Sequence, residues 1–165
     1  MQTEDNLKDA FAGESQAHMK YLNFAAKAQQ EDKPNVARLF QAASLSEQIH
    51  ASAHLSVLKG IGATAENLAA AIGGESFEVA EMYPGYAATA EKENAKDALQ
   101  SINRALAAEK VHKALYTRAK EAVVSGKDVA VGTIWVCPNC GFTMEGERLD
   151  KCPECGWYGT DFKGF

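Results

Sequence analysis

Two Glu-x-x-His pairs, Glu47–His50 and Glu109–His112, sit in stretches whose periodicity would bury them. Residues three apart face the same side of a helix, so each pair places a carboxylate and an imidazole together. The apolar stripes around them read Val36, Phe40, Ala43, Glu47, His50, His54, Val57 and Leu99, Ile102, Leu106, Glu109, His112, Tyr116, Val123. An unpaired carboxylate inside an apolar core is strongly disfavoured, and it protonates or moves to the surface unless a cation meets it. A chain that keeps such groups inward is therefore constrained to pack helices around a positive charge.

The same reading extends to two further helices. Leu7, Phe11, Glu14, His18, Tyr21, Ala25 and Ala28 alternate by four and three, which predicts a helix over about 4–30. Pro34 suits the first turn of the next, over about 35–59, and Gly60-Ile61-Gly62 ends it. A connection over 61–76 carries one short helical piece, and helices follow over about 77–93, kinked by Pro84, and 95–124. The expected fold class is mainly α: a ferritin-like four-helix bundle, followed by a small four-cysteine metal domain with short β-strands. Glu14, with Glu78 or Glu81, completes a carboxylate set on the two helices that lack a Glu-x-x-His pair. One glutamate from each of two helices, plus Glu-x-x-His from each of the other two, is how bundles hold a di-iron or di-manganese centre. His18 and His54 lie on the stripes but outside these pairs, and they read as core histidines or as supports to the ligands. Tyr21 lies two turns from Glu14 on the same face, either as a core tyrosine or as a hydroxyl for a metal-bound carboxylate.

The chain changes character near residue 126: of 29 alanines 28 precede it, whereas seven of 13 glycines follow. Helix gives way to turns and short strands. The expected domains are 1–125, a linker at 126–133 and 134–165. Within the last lie Cys137-Pro-Asn-Cys140-Gly and Cys152-Pro-Glu-Cys155-Gly, near copies of one another. In each, two thiolates of a tight turn take one metal, and the two together make a tetrahedral four-thiolate site. Spacing leaves zinc and iron both open.

The net charge of −5 from 17 basic and 22 acidic residues offers no basic excess for phosphates, so nucleic acid is not the expected partner. No apolar run is long enough to span a bilayer. The charged first residues lack the apolar stretch of a secretory leader, and the expected location is cytoplasmic.

With both metal sites in one chain, the sequence resembles the rubrerythrin family across essentially all 165 residues. The matching stretches are Glu14-Ser-Gln-Ala with Tyr21, Glu47-Gln-Ile-His50, Phe77-Glu78-Val-Ala-Glu81-Met-Tyr-Pro84, Glu109-Lys-Val-His112, and Trp135 through Trp157. The resemblance implies two irons held by Glu14, Glu47, His50, Glu78, Glu81, Glu109 and His112. It implies a third iron on Cys137, Cys140, Cys152 and Cys155 in a rubredoxin-like domain. Glu47 and Glu109 would bridge, and Glu81 and His50 would alternate as ligands when the redox state changes. Tyr21 and Tyr86 match positions that hydrogen-bond to ligand carboxylates. The implied activity is reduction of hydrogen peroxide to water, with Glu47, Glu81, His50 and Tyr21 as the catalytic residues. Electrons would come from an external donor, such as a rubredoxin or a NAD(P)H-dependent reductase, through the cysteine-bound iron. A homodimer is implied, and exchange of helices between its copies stays open. Two other readings stand beside it: a ferroxidase or oxidase using dioxygen, and a bundle scaffold carrying a zinc-ribbon binding module. The chain departs from the family in one respect: the eleven residues between Cys140 and Cys152 make a short inter-knuckle loop.

Overall fold

A computed structural model describes residues 1–165. The chain divides into two compact units, Met1–Gly62 and Ala63–Phe165.

The first unit is a pair of helices, α1 (Gln2–Gln30) and α2 (Pro34–Val57). Glu4 and Asp5 in the first turn of α1 and Lys27 in its last complement the helix dipole. Pro34 opens α2 where its missing N–H costs nothing. Between the helices Asp32 takes a left-handed conformation (φ 53°), and the Lys33 N–H returns to the Ala28 carbonyl at 2.9 Å, closing α1. Small side chains set the packing distance: Ala25, Ala28, Ala37, Ser44 and Ala51 are buried. The stripe predicted for α1 lies inward throughout, from Leu7 to Ala28. On α2 the inward line instead runs Ala37, Phe40, Ser44, Glu47, Ala51, His54 and Leu58, so Val36, His50 and Val57 are exposed. The helix period of 3.6 lets Ala37, Ser44 and Ala51 approach α1 more closely than their larger neighbours could. Tyr21, Phe24 and Phe40 form an aromatic cluster with ring centroids 5.5–6.2 Å apart.

The second unit begins with a helical run through α3 (Thr64–Phe77), a π-turn (Glu78–Met82) and α4 (Tyr83–Lys92), then α5 (Lys96–Val124). The short helical piece and the helix beginning at residue 77 are therefore one element, and the connection shrinks from 61–76 to 58–63. Glu66 reaches back to the Ala63 N–H at 2.7 Å and starts α3 there. Pro84 accounts for the π-turn: it has no N–H to offer, and the Tyr83 N–H bonds five residues back to the Glu78 carbonyl.

Beyond α5, β1 (Ile134–Val136), β2 (Thr143–Glu145) and β3 (Lys163–Gly164) form an antiparallel sheet in the order β2-β1-β3. Its core is Cys137, Cys152 and Phe162, with Trp135, Phe142 and Met144 packed against them. So small a core does not hold by apolar burial alone and relies on a metal staple.

Candidate metal centres

The four cysteine thiols converge with their sulfurs within 4.8 Å of one another. Cys137 and Cys155 lie 3.6 Å apart, as do Cys140 and Cys152. A tetrahedron with metal–sulfur bonds of ~2.3 Å has edges of about 3.8 Å, so these separations suit one metal and exclude disulfides. The knuckles repeat the same bonding. The Cys137 N–H reaches the Phe142 carbonyl and the Gly141 N–H the Cys137 carbonyl; the Cys152 N–H reaches Trp157 and the Gly156 N–H reaches Cys152. Gly141 (φ 77°) and Gly156 (φ 74°) supply the left-handed turn that each requires. Burial pushes the Cys140 thiol up, and the neighbouring sulfurs add to this. Burial also acts upward on Cys155, but the Asn139 side chain, the Trp157 N–H and the adjacent sulfurs bring it down to about 6.

On the first unit Glu14, Glu47 and His50 gather their ligand atoms within 4.8 Å. His50 Nδ1 lies 3.0 Å from Glu47 Oε2. A hydrogen bond between the two carboxyls raises Glu14 above the usual carboxylate range, with burial and the Glu47 charge adding to it. The same bond, with that to His50, lowers Glu47. His18 belongs elsewhere: its Nδ1 faces the Ser44 carbonyl (3.0 Å) and hydroxyl (2.9 Å), and Ser44 is 1% exposed. That histidine clamps α1 to α2.

On the second unit the group is Glu75, Glu109 and His112. His112 Nδ1 lies 2.7 Å from Glu109 Oε2 and 3.9 Å from Glu75 Oε1. Glu75 was not among the residues expected here. It lies one turn before Glu78 on the same face, and a helix predicted to begin at Phe77 leaves it out. Glu78 is half-buried and feels the charges of Glu109 and His112, with burial the main cause of its raised carboxyl. Glu81, inside the π-turn, is exposed. Tyr83 was also missed: burial and the charges of Glu109, Glu78 and Glu75 raise its phenol, which places it beside these carboxylates. Tyr86, a family-matched position, is exposed and meets Tyr83 edge to face.

Glu75 Oε2 is buried without a hydrogen-bond partner. Burial first, then its bond to Glu109 and that residue's charge, push the Glu75 carboxyl up to about 7. An orphaned carboxylate oxygen beside a second carboxylate and an imidazole fits a divalent cation, which supplies the missing partner. Metal-free protein carries a testable consequence. A raised carboxyl favours the folded state below its unfolded value near 4.5, and this advantage is lost as pH rises through 7. Glu75→Gln should flatten the fall in stability across that window, worth about 3 kcal/mol, in urea unfolding followed at successive pH values.

The chain matches the protein family described as Rubrerythrin over residues 5–120. It is 39% identical to "Rubrerythrin-2" of Clostridium acetobutylicum, covering 99% of this chain and 96% of the relative. It is 32% identical to "Nigerythrin" of Nitratidesulfovibrio vulgaris, covering 93% and 81%. Among solved structures it is similar to the fully reduced, all-ferrous state of nigerythrin, with a TM-score of 0.56 and 30% identity over 99% of this chain and 86% of that one. These likenesses agree with a ferritin-like helical part followed by a rubredoxin-like four-cysteine domain. The cofactors are two irons on carboxylate and histidine ligands (Glu14, Glu47 and His50; Glu75, Glu109 and His112) and one iron on the four cysteines.

Proposed function

Because the chain belongs to the rubrerythrin family, an oxidoreductase family of di-iron oxidative-stress proteins, we propose that it is a peroxidase reducing hydrogen peroxide to water. The overall change is H2O2 + 2 H+ + 2 e− → 2 H2O. The observation that carries this reading is the pairing, in one chain, of carboxylate–histidine groups with a four-cysteine site of rubredoxin type. Two ferrous ions held by these carboxylates and histidines would supply both electrons that cleavage of the O–O bond requires, with no radical released. A storage ferroxidase has no need of the tail.

The residues divide the remaining work. Glu14, Glu47, Glu78, Glu109 and His112 hold metal with Glu75, and Glu47 and Glu81 carry protons to the departing oxygens. His50 is 53% exposed on its side chain, with Glu47 as its contact, and this openness supports its alternation with Glu81. Tyr21, whose ring sits in the aromatic cluster with Phe24 and Phe40, takes the ligand-supporting role of its family position. An external donor, a rubredoxin or a NAD(P)H-dependent reductase, re-reduces the cysteine-bound iron. The site of action is the cytoplasm, where thiols stay reduced; no helix is long and apolar enough to cross a membrane. The acidic balance leaves nucleic acid no role. Steady-state assays should consume two donor electrons per peroxide. Glu81→Ala should retain most of its iron yet turn over peroxide ~100-fold more slowly. Undiminished turnover would remove Glu81 from the mechanism.

We further propose that the protein is a homodimer that exchanges helices. A ferritin-like bundle needs one long crossover between its two helix pairs. The 24 residues of α2 extend about 36 Å. The six residues from Leu58 to Ala63 bridge about 25 Å when fully extended. On this reading α1–α2 of one copy closes with α3–α5 of a second. Leu39, Leu45 and Ile49 on α2 are exposed apolar residues, and such a closure would cover them.

A further inference from the structure

His112 has a second contact that the metal ligand set does not use. Its Nε2 lies 2.8 Å from the hydroxyl oxygen of Thr143, a 4% exposed residue on β2 in the four-cysteine domain. The same hydroxyl donates to the Gly141 carbonyl at 3.2 Å. Gly141 is the turn residue of the first knuckle, directly after Cys140, and its N–H is bonded to the Cys137 carbonyl. A threonine hydroxyl has one proton, and a carbonyl can only accept. With that proton on Gly141, Thr143 presents a lone pair to His112. With a cation on Nδ1, the nitrogen facing Glu109 and Glu75, the imidazole keeps its proton on Nε2 and gives it to that lone pair. The neighbouring strand residue is anchored too: Glu145 pairs with Arg118 of α5 and accepts from the Gly132 N–H at 2.7 Å. His50, by contrast, has its Nδ1 toward Glu47 and its side chain largely in solvent.

We propose that Thr143 is a positioning residue that fixes the tautomer and orientation of His112, and thereby links filling of the four-cysteine site to metal affinity at the Glu75–Glu109–His112 group. A metal on the four thiolates orders the knuckle that aims Thr143. Thr143 in turn orders the ligand. Linkage requires the effect to be reciprocal. The proposal rests on His112 being a metal ligand.

The test uses the full chain stripped of metal. One equivalent of zinc fills the thiolate site, and Mn2+, which disfavours thiolates, is then titrated and followed by electron paramagnetic resonance. Zinc should tighten Mn2+ binding several-fold. Thr143→Val should weaken Mn2+ binding about 10-fold and abolish the zinc effect, while Thr143→Ser, which keeps the hydroxyl, should restore both. Unchanged ferric-thiolate colour in the iron-loaded Thr143→Val protein separates this from loss of the tail fold. Should that variant not fold, the unsubstituted protein decides through its Mn2+ affinity with and without zinc on the thiolates. Equal Mn2+ affinity in wild type and Thr143→Val, or equal affinity of the unsubstituted protein with and without zinc, overturns the proposal. A wild-type chain that bound no Mn2+ at all would overturn the ligand reading, and with it the linkage.

Discussion

Coexpressed Glu47→Ala and Glu109→Ala chains should regain about a quarter of wild-type peroxide turnover, although each variant alone should lose more than about 100-fold. The arithmetic follows from helix exchange. With exchange, each centre would draw one helix pair from each copy, so a mixed dimer would concentrate both lesions in one centre and leave the other intact. Random pairing makes half the dimers mixed, and half the centres in those dimers work. Without exchange, every centre keeps one lesion whatever the pairing, and no activity returns. Iron content gives a second readout: it should rise in the mixed preparation in step with turnover. The connection of 58–63 is the physical reason for this expectation, because its extended length falls short of α2 by about 10 Å.

Loss of a buried thiolate has the other large effect. Cys152 is 2% exposed and lies in the core with Cys137 and Phe162. Cys152→Ser removes a metal ligand, and with it the staple that holds a sheet of three very short strands. The purified protein should lose its ferric-thiolate colour, and proteolysis should cut the tail after α5. Turnover with an external donor should fall more than about 100-fold. A single oxidation of chemically reduced protein by one equivalent of peroxide should survive at saturating iron, because the carboxylate ligands on α1, α2, α3 and α5 remain and losing the Thr143 contact weakens iron binding without removing a ligand. The colour measures the first loss and rapid-mixing absorbance the second.

Much of this was legible in the sequence, for identifiable reasons. Inward carboxylates at helical spacing and two Cys-x-x-Cys knuckles are chemical signals, since neither tolerates burial without a cation. The positions of Glu14, Glu47, His50, Glu109, His112 and the four cysteines in three clusters follow from that. The π-turn was less legible. Pro84 announced a disturbance, but not a ladder shifted by one residue over Glu78–Met82; Glu75 enters the group because α3 runs unbroken into that turn rather than starting at Phe77. The continuity of α3 was not legible either: the short helical piece expected within 61–76 runs on through Gly73 and Gly74 into the π-turn. Thr143 carried no local signal. Its role arises only because β2 packs on α5, a contact across 31 residues that no spacing rule anticipates.

The central claim is tested most directly by mixing the anaerobically reduced, iron-loaded protein with hydrogen peroxide and, separately, with dioxygen, and timing oxidation of the di-iron centre in each. The account predicts much faster oxidation by peroxide, followed by oxidation of the cysteine-bound iron. Faster oxidation by dioxygen would contradict it and make the protein an oxidase.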